Sequence, residues 1–579
     1  MNKNDLIKLN ITDLTGGGDG VGHAPDGRVV FVPNTAVGDE VLAHVLKVKK
    51  KYAFAKIEEI ITPAECRIDS NCPISLRCGG CVFRHINYKK ECEIKRTQVE
   101  NSFRRIGGLD TPINEIIGAE SIDFYRNKAQ IPVGVDREGN VICGYYTKSS
   151  HRIVPCNNCR LHPSIFDSII QKFTAWANEN GISVYDEKSG KGLLRHLYIR
   201  QAAKSGDIMV LIVINGNQLP DKDSLVDSLT ELHEVKSVQI NINKENTNVI
   251  LGKKCIVLYG EDSITDTICG VKIRISPLAF YQVNHAMAEK LYNKAKELAE
   301  PKDKVVLDLY CGVGSIGLSM AKEAKEIIGV EIIPQAVEDA KFNAKLNGIQ
   351  NARFICGDAA KAVKDLEKQG LSPDVVILDP PRKGCEASLV ETVATEFRPK
   401  TIVYISCNDA TLARDCAIFK DYGYKTVEAT PVDLFARTGH VETVALLSRQ
   451  IDVHKMKLNS APFEMIKSGE KTIELRLFDE KRQQVKVGDK ILFTNIANGE
   501  TLNTTVVKLH RFDSFKELYK SLPLLKCGYT IENVDNAKSS DMEKYYSVEE
   551  QNKYGVVGIE LCRPKEITDE VVAKLEMEK

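Results

Sequence analysis

Val305–Leu318, VVLDLYCGVGSIGL, reads as a short apolar strand that breaks into a glycine-rich turn and then a helix. Gly312, Gly314 and Gly317 stand in a GxGxxG frame. Glu331 closes the next apolar run, where a carboxylate can meet a ribose hydroxyl. Outward from this stretch, strand-like runs alternate with helical ones: KVVLDLY, IIGVEII, ARFICGD, DVVILDPP, TIVYISC and VETVALLS. That alternation predicts a parallel, doubly wound sheet with its ligands at the carboxyl ends of the strands.

Alone, the glycine frame suits a dinucleotide equally well. Three further features shift the balance. Asp308 precedes the frame, Asp358 ends the run ARFICGD, and Asp379 opens the turn DPPRKG with Arg382. Carboxylates and a Pro-Pro turn at successive strand ends describe the crevice of an adenosylmethionine-dependent methyltransferase, with a nicotinamide dehydrogenase as the competing reading. Enzymes that methylate exocyclic amines usually carry an aromatic residue after the two prolines. A guanidinium there, that of Arg382, suits a carbonyl, carboxylate or phosphate better, unless it only caps the loop. In YISCND, Tyr404–Asp409, Cys407 stands where a buried strand ends. A lone cysteine there is more often an inert thiol. Carbon 5 of uracil, however, becomes nucleophilic once a thiolate adds to carbon 6, and the adduct then needs a base to remove the carbon 5 proton. HVETV supplies Glu442 for that step, its plainer reading being a solvated strand-end carboxylate.

At 579 residues the chain exceeds one core, and roughly 100 to 200 residues per domain predicts three to five domains. The formal charge of zero confines nucleic-acid contacts to local patches. Two stand out. KVKKKYAFAK, Lys47–Lys56, interleaves lysines with Tyr52 and Phe54, and RHINYKKECEIKRTQVENSFRRIGGL from Arg84 reads as a basic helix ending at Gly107 and Gly108. The longest apolar run, IMVLIVI from Ile208, falls far short of the roughly 20 residues of a membrane helix, and the first residues lack a secretory core. A cytoplasmic protein with no membrane role is expected. Seventeen cysteines in such a chain point to metal or catalysis, not to a disulfide framework. Cys72, Cys78 and Cys81 in CPISLRCGGC, with Cys156 or Cys159 in PCNNC as a fourth, can hold tetrahedral zinc or an iron-sulfur cluster; Cys66 is a spare.

Together CPISLRCGGC, FYQVN, DLYCGVGSIGL, DPPRKG, YISCNDATLARD and HVETV resemble the RNA uracil-5-methyltransferase family, over about residues 5 to 449. The similarity is greatest to the 23S ribosomal RNA branch that carries an amino-terminal TRAM domain and a [4Fe-4S] cluster. The resemblance implies Cys407 as nucleophile, Glu442 as proton acceptor and S-adenosyl-L-methionine contacts from Gln282, Tyr310, Glu331 and Asp379. It also implies cluster ligands at Cys72, Cys78, Cys81 and, in preference to Cys156, Cys159. Gly312, Gly314 and Asp358 join the expected cofactor site, and Arg382 positions the substrate. Two departures stand near the reaction centre, Asp409 and Ala436, where the family usually has proline.

The expected architecture is multidomain α/β: an OB-like TRAM barrel (1–62), an α+β central domain with the cluster segment (63–275), a Rossmann-like catalytic domain (276–450) and a tail (451–579). The tail resembles an ASCH domain, a PUA-like barrel, through GEKTIELR with Lys471, Thr472, Glu474 and Arg476. An appended RNA grip is the expected role, with a second hydrolytic activity or a plain interaction domain as alternatives. The expected partner is RNA, 23S ribosomal RNA first. Transfer RNA and an inactive RNA-binding, redox-sensing protein are the rivals, and no obligate protein partner is evident. A monomer is the default.

Overall fold

The computed structural model describes residues 1–148, 150–486 and 488–562, so the last part of the expected 451–579 domain lies outside the described residues. The described residues form two compact units: residues 1–420 with 426–448, and residues 421–425 with 449–562.

In the first unit, β1 (Leu6–Leu14), β2 (Gly20–His23), β3 (Val29–Val32), β4 (Glu40–Val48) and β5 (Tyr52–Thr62) close a barrel in the order β1-β2-β3-β5-β4. Val41, Ala43 and Val45 alternate into its core, as period-2 patterning requires. Tyr52 and Phe54 stay exposed on the outside, 38% and 40% accessible, and pack edge to face. The basic helix α1 (Tyr88–Ser102) starts where the Asn87 side chain accepts the Lys90 N–H at 2.9 Å. A single wider turn, Phe103–Gly107, carries it to Gly108 in the left-handed conformation. Part of its charge faces inward: Glu91 and Lys95 are fully buried. Those two charges therefore belong to the interior and not to the basic patch read from the sequence.

The central domain is one sheet built from β6 (Lys128–Val135), β7 (Val141–Tyr146), β8 (Ile153–Pro155), β9 (Leu194–Gln201), β10 (Ile208–Ile214), β11 (Val235–Ile242) and β12 (Lys254–Gly260). The helices α2 (Ile165–Glu179) and α3 (Lys222–Thr230) bury Phe173, Trp176 and Leu225 against one face. A hairpin, β13 (Ile264–Ile268) with β14 (Val271–Ile275), and α4 (His285–Ala299) lead into the second large sheet.

That sheet orders β17-β16-β15-β18-β19-β21-β20. Its strands are β15 (Val305–Leu309), β16 (Glu326–Glu331), β17 (Ala352–Cys356), β18 (Val375–Leu378), β19 (Thr401–Ser406), β20 (Tyr424–Val432) and β21 (Glu442–Arg449). The helices between them are α5 (Ser315–Met320), α6 (Pro334–Leu346), α7 (Ala359–Lys368), α8 (Ala387–Thr392) and α9 (Asp409–Asp421). The first five strands are parallel, as the alternation predicts. β21 instead runs antiparallel to β19, because β20, which sequence patterning does not reveal, returns the chain along the sheet edge first.

In the second unit β22 (Val453–Leu458), β23 (Ile473–Leu477), β24 (Lys490–Asn495), β25 (Thr501–Phe512) and β26 (Val556–Cys562) form a five-stranded sheet, order β22-β24-β25-β26-β23. Among the described residues no strand pairing closes the expected barrel: β22 and β23 are the sheet's edges, bridged where Arg476 donates to the Lys457 carbonyl at 3.1 Å. Glu474 is buried between Lys471 and Arg476, each 2.9 Å away, so three residues of the motif form one ion-pair group. Among the described residues no helix is long and apolar enough to cross a membrane.

Candidate active site

The glycine frame forms the tight turn its sequence predicts. Gly314 has φ +81° and would bring a Cβ within 3.0 Å of the Phe354 ring, while a Cβ on Gly317 would stand 2.8 Å from Ile327. Tyr310 opens the turn at φ +67°, a conformation a bulky residue rarely holds without a local reason. Asp308 is fully buried and its Oδ2 accepts the Gly317 N–H at 3.0 Å, while Oδ1 has no partner. Burial, with Asp379 and Glu331 nearby, pushes its pKa up to about 7. Glu331 at the end of β16 takes N–H groups from Gly312 (3.1 Å) and Ile333 (2.8 Å), and the exposed Ile332 offers apolar surface beside it. Asp358 caps α7 through the Lys361 N–H at 3.2 Å. Gln282 is buried, its carbonyl held by Asn127 Nδ2 at 3.0 Å.

Cys407 follows β19 in a turn closed by Ser406, whose hydroxyl accepts the Asn408 N–H at 3.1 Å. Asn408 caps α9 by accepting from Ala410 and Thr411, both at 3.1 Å. The antiparallel register pairs Ser406 with Thr443, so its next step sets Cys407 opposite Glu442. Asp379 directly follows β18, the strand on the other side of β19, and opens the loop that bears the exposed Arg382. Glu442 is 5% exposed; burial and the neighbouring Asp379 push its pKa up to about 8 against the opposing pull of Arg382. Asp379 is pushed up to about 7 by burial. The Cys407 thiol is raised by burial and by Glu442 and Asp379, with Arg382 again opposing. Nucleophile, base and guanidinium candidates therefore share one electrostatic neighbourhood.

Supports that sequence reasoning missed surround this centre. Asp415 on α9 is fully buried and accepts from the Cys385 N–H (2.8 Å) and the Tyr404 hydroxyl (2.6 Å), tying the DPPRKG loop to the cysteine strand. The loop before Glu442 is held by Lys95 Nζ, which reaches Glu91 (2.8 Å), Asp433 (2.7 Å) and the Phe435 carbonyl (3.2 Å). Glu91 also takes the Arg437 N–H at 2.6 Å, and the Tyr88 hydroxyl donates to Asp433 at 2.7 Å. Both departures from proline acquire partners. Gln98 donates to Asp409 at 3.0 Å and the Ser102 hydroxyl also bonds it, while the Tyr125 hydroxyl donates to the Ala436 carbonyl at 2.8 Å.

Cys72, Cys78, Cys81, Cys156 and Cys159 line one cavity of about 80 Å³, with Arg84 and Arg126 on its wall. Among the described residues no group of three or more His, Cys, Asp or Glu stands in a geometry that could hold a metal ion. The donor set is nevertheless rich in thiols drawn from two distant segments. The buried Arg126 Nε has no partner, a cation placed to meet an anionic thiolate cluster. Cys66 stands apart, packed against Phe83 and Ile86.

The tRNA (uracil-5-)-methyltransferase family profile matches residues 199–450, the TRAM domain profile residues 4–57 and the ASCH domain profile residues 456–565. An uncharacterized RNA methyltransferase of Clostridium tetani is 42% identical over 455 residues, covering 78% of this chain and 98% of the relative. Another from Clostridium acetobutylicum is 43% identical, covering 77% and 98%. Among solved structures, the Pyrococcus abyssi tRNA (uracil-54, C5)-methyltransferase in complex with S-adenosyl-L-homocysteine superposes with a TM-score of 0.61 at 26% identity, covering 76% of this chain and all of that one.

Proposed function

Because the chain belongs to the adenosylmethionine-dependent RNA uracil-5-methyltransferase family, we propose that it methylates carbon 5 of a uridine in 23S ribosomal RNA. The observation that carries the chemistry is the register that sets Cys407 opposite Glu442, beside Asp379 and Arg382. Cys407 first loses its thiol proton to solvent and then adds as the thiolate through Sγ to carbon 6 of the extruded base, and the ring's double-bond electrons move to carbon 5 as an enolate. Arg382 faces the negative charge that develops on the ring carbonyl. The methyl donor, when bound, supplies an electrophilic methyl to carbon 5. Tyr310, Gly312, Gly314, Glu331, Asp358 and Asp379 would hold it at the strand ends, with Gln282 from the segment before α4. Glu442 then takes the carbon 5 proton; the freed electron pair restores the double bond and expels the Cys407 thiolate.

Ribosomal RNA is supported by the barrel together with the five-cysteine cavity. Transfer RNA is the second reading, favoured by the superposition on a tRNA uracil-54 enzyme. Incubation with defined ribosomal and transfer RNA transcripts, followed by mass spectrometry of the digested nucleosides, is expected to find 5-methyluridine in 23S fragments. Product confined to tRNA moves the substrate to the second reading, and a methyl on ribose or on an exocyclic nitrogen overturns both.

Cys72, Cys78, Cys81 and Cys159 would hold a [4Fe-4S] cluster, Cys156 being the alternate fourth ligand, with the role of ordering the segment between barrel and central sheet. Anaerobically purified protein is expected to show a broad visible absorption band with matching iron and acid-labile sulfide. Zinc in their place overturns the assignment. The tail is read as an additional RNA grip.

A further inference from the structure

Lys128 and Arg200 face each other across the antiparallel pair β6–β9, so both side chains leave the central sheet on the same face. Arg200 is 1% exposed, yet its hydrogen bond is to a neutral group: NH1 donates to the Ala279 carbonyl at 3.0 Å, and its Nε has no partner. The Tyr198 ring lies 5.7 Å away, its own hydroxyl equally unpartnered. Among the described residues no carboxylate comes within ion-pair distance of either cation. A buried charge normally comes with its counter-ion, and two adjacent cations without one raise each other's energy in a medium of low dielectric. Half-buried Lys128 registers this, its pKa drawn down to about 8 by burial and by Arg200 and Arg126.

The pair also abuts the site. Between Arg126 and Lys128, Asn127 donates its N–H to the Val283 carbonyl at 2.8 Å and its side chain to the Gln282 carbonyl at 3.0 Å. Arg200 grips Ala279, three residues before Gln282. The cations are thus stitched to the segment expected to hold the methyl donor. We infer that Lys128, backed by Arg200, is an anion site that takes a phosphate of the RNA backbone beside the target nucleotide. The inference rests on the RNA reading above. It adds to that reading where the missing counter-charge comes from.

The test uses the full chain, a short single-stranded uridine oligonucleotide and a salt series, with S-adenosyl-L-homocysteine binding as control. Lys128→Gln is expected to weaken oligonucleotide binding by about tenfold, the low end for a hydrogen bond to a charged group. It should also lower the slope of log affinity against log salt by about 0.7, the loss of one phosphate contact on a single strand. Lys128→Arg should restore most of both. Arg200→Met is expected to weaken RNA binding while melting no earlier than the parent, since an uncompensated buried charge has been removed. Unchanged affinity and slope in Lys128→Gln overturn the site, as does a loss that falls on S-adenosyl-L-homocysteine instead. Early melting of Arg200→Met would mark that side chain as a structural brace and overturn its part. If the parent binds the oligonucleotide but methylates no uridine at carbon 5, the functional reading fails while the salt series still decides the anion site.

Discussion

Cys407→Ala abolishes methylation and leaves S-adenosyl-L-homocysteine affinity within about twofold of the parent, since the expected donor contacts come from other strand ends. The loss is expected to exceed about 10⁴-fold, because without sulfur addition carbon 5 of uracil is not nucleophilic and no neighbouring group can substitute. The turn itself should survive. It is closed by Ser406 and Asn408 backbone and side-chain bonds that do not involve the thiol. Tritium release from carbon 5 of labelled RNA measures the loss directly, and calorimetric titration checks the cofactor. Turnover at the parental rate would remove Cys407 from the mechanism.

Glu442→Gln is the second large effect, and its signature is accumulation. Addition and methyl transfer precede proton removal, so the variant should stall as a covalent protein–RNA adduct that resists denaturing electrophoresis. The same carboxyl shapes the pH profile, in the same direction as the raised Cys407 thiol, because base and nucleophile both act deprotonated. Its pKa is raised to about 8, so it is neutral and incompetent as a base below that value. kcat/KM should therefore climb as pH rises through about 8 and fall as pH drops below it. Stability runs the opposite way: a buried carboxyl with a raised pKa favours the fold while protonated, and that contribution, full below the ordinary value of 4.5, is lost progressively as pH rises to about 8. Thermal melting of the parent should decline from pH 5 to 8 more steeply than that of Glu442→Gln, and the two slopes should converge above 8. Full-rate product formation with no adduct would assign proton removal to another group.

Much of this architecture is legible in residue order. Glycine spacing, alternating apolar runs and strand-end carboxylates place the catalytic sheet, because each depends on local backbone geometry and on period alone. β20 escapes because YKTVEATPV mixes threonine, glutamate and proline into a strand that lies at the sheet edge. Its absence from the expectation is what made β21 look parallel. The candidate residues of the site are equally legible as motifs, whereas their supports are not. Asp415 in LARD and Lys95 in a basic helix look like solvent-facing charges, and what buries them is packing against segments far away in the chain. Likewise the proline departures at Asp409 and Ala436 look like defects in sequence and gain hydrogen bonds in three dimensions.

The contact from Lys95 to Asp433 joins residues 338 positions apart. A polypeptide emerging from its amino end makes the helix long before it makes the loop, so the loop that carries Glu442 has its anchor waiting when it is synthesised. The converse holds for dissection: a fragment that begins after this helix retains every strand of the catalytic sheet yet lacks the ammonium that Asp433 needs. Competence is therefore a property of the joined modules, and the amino-terminal region is as much a scaffold for the reaction as it is a handle for RNA.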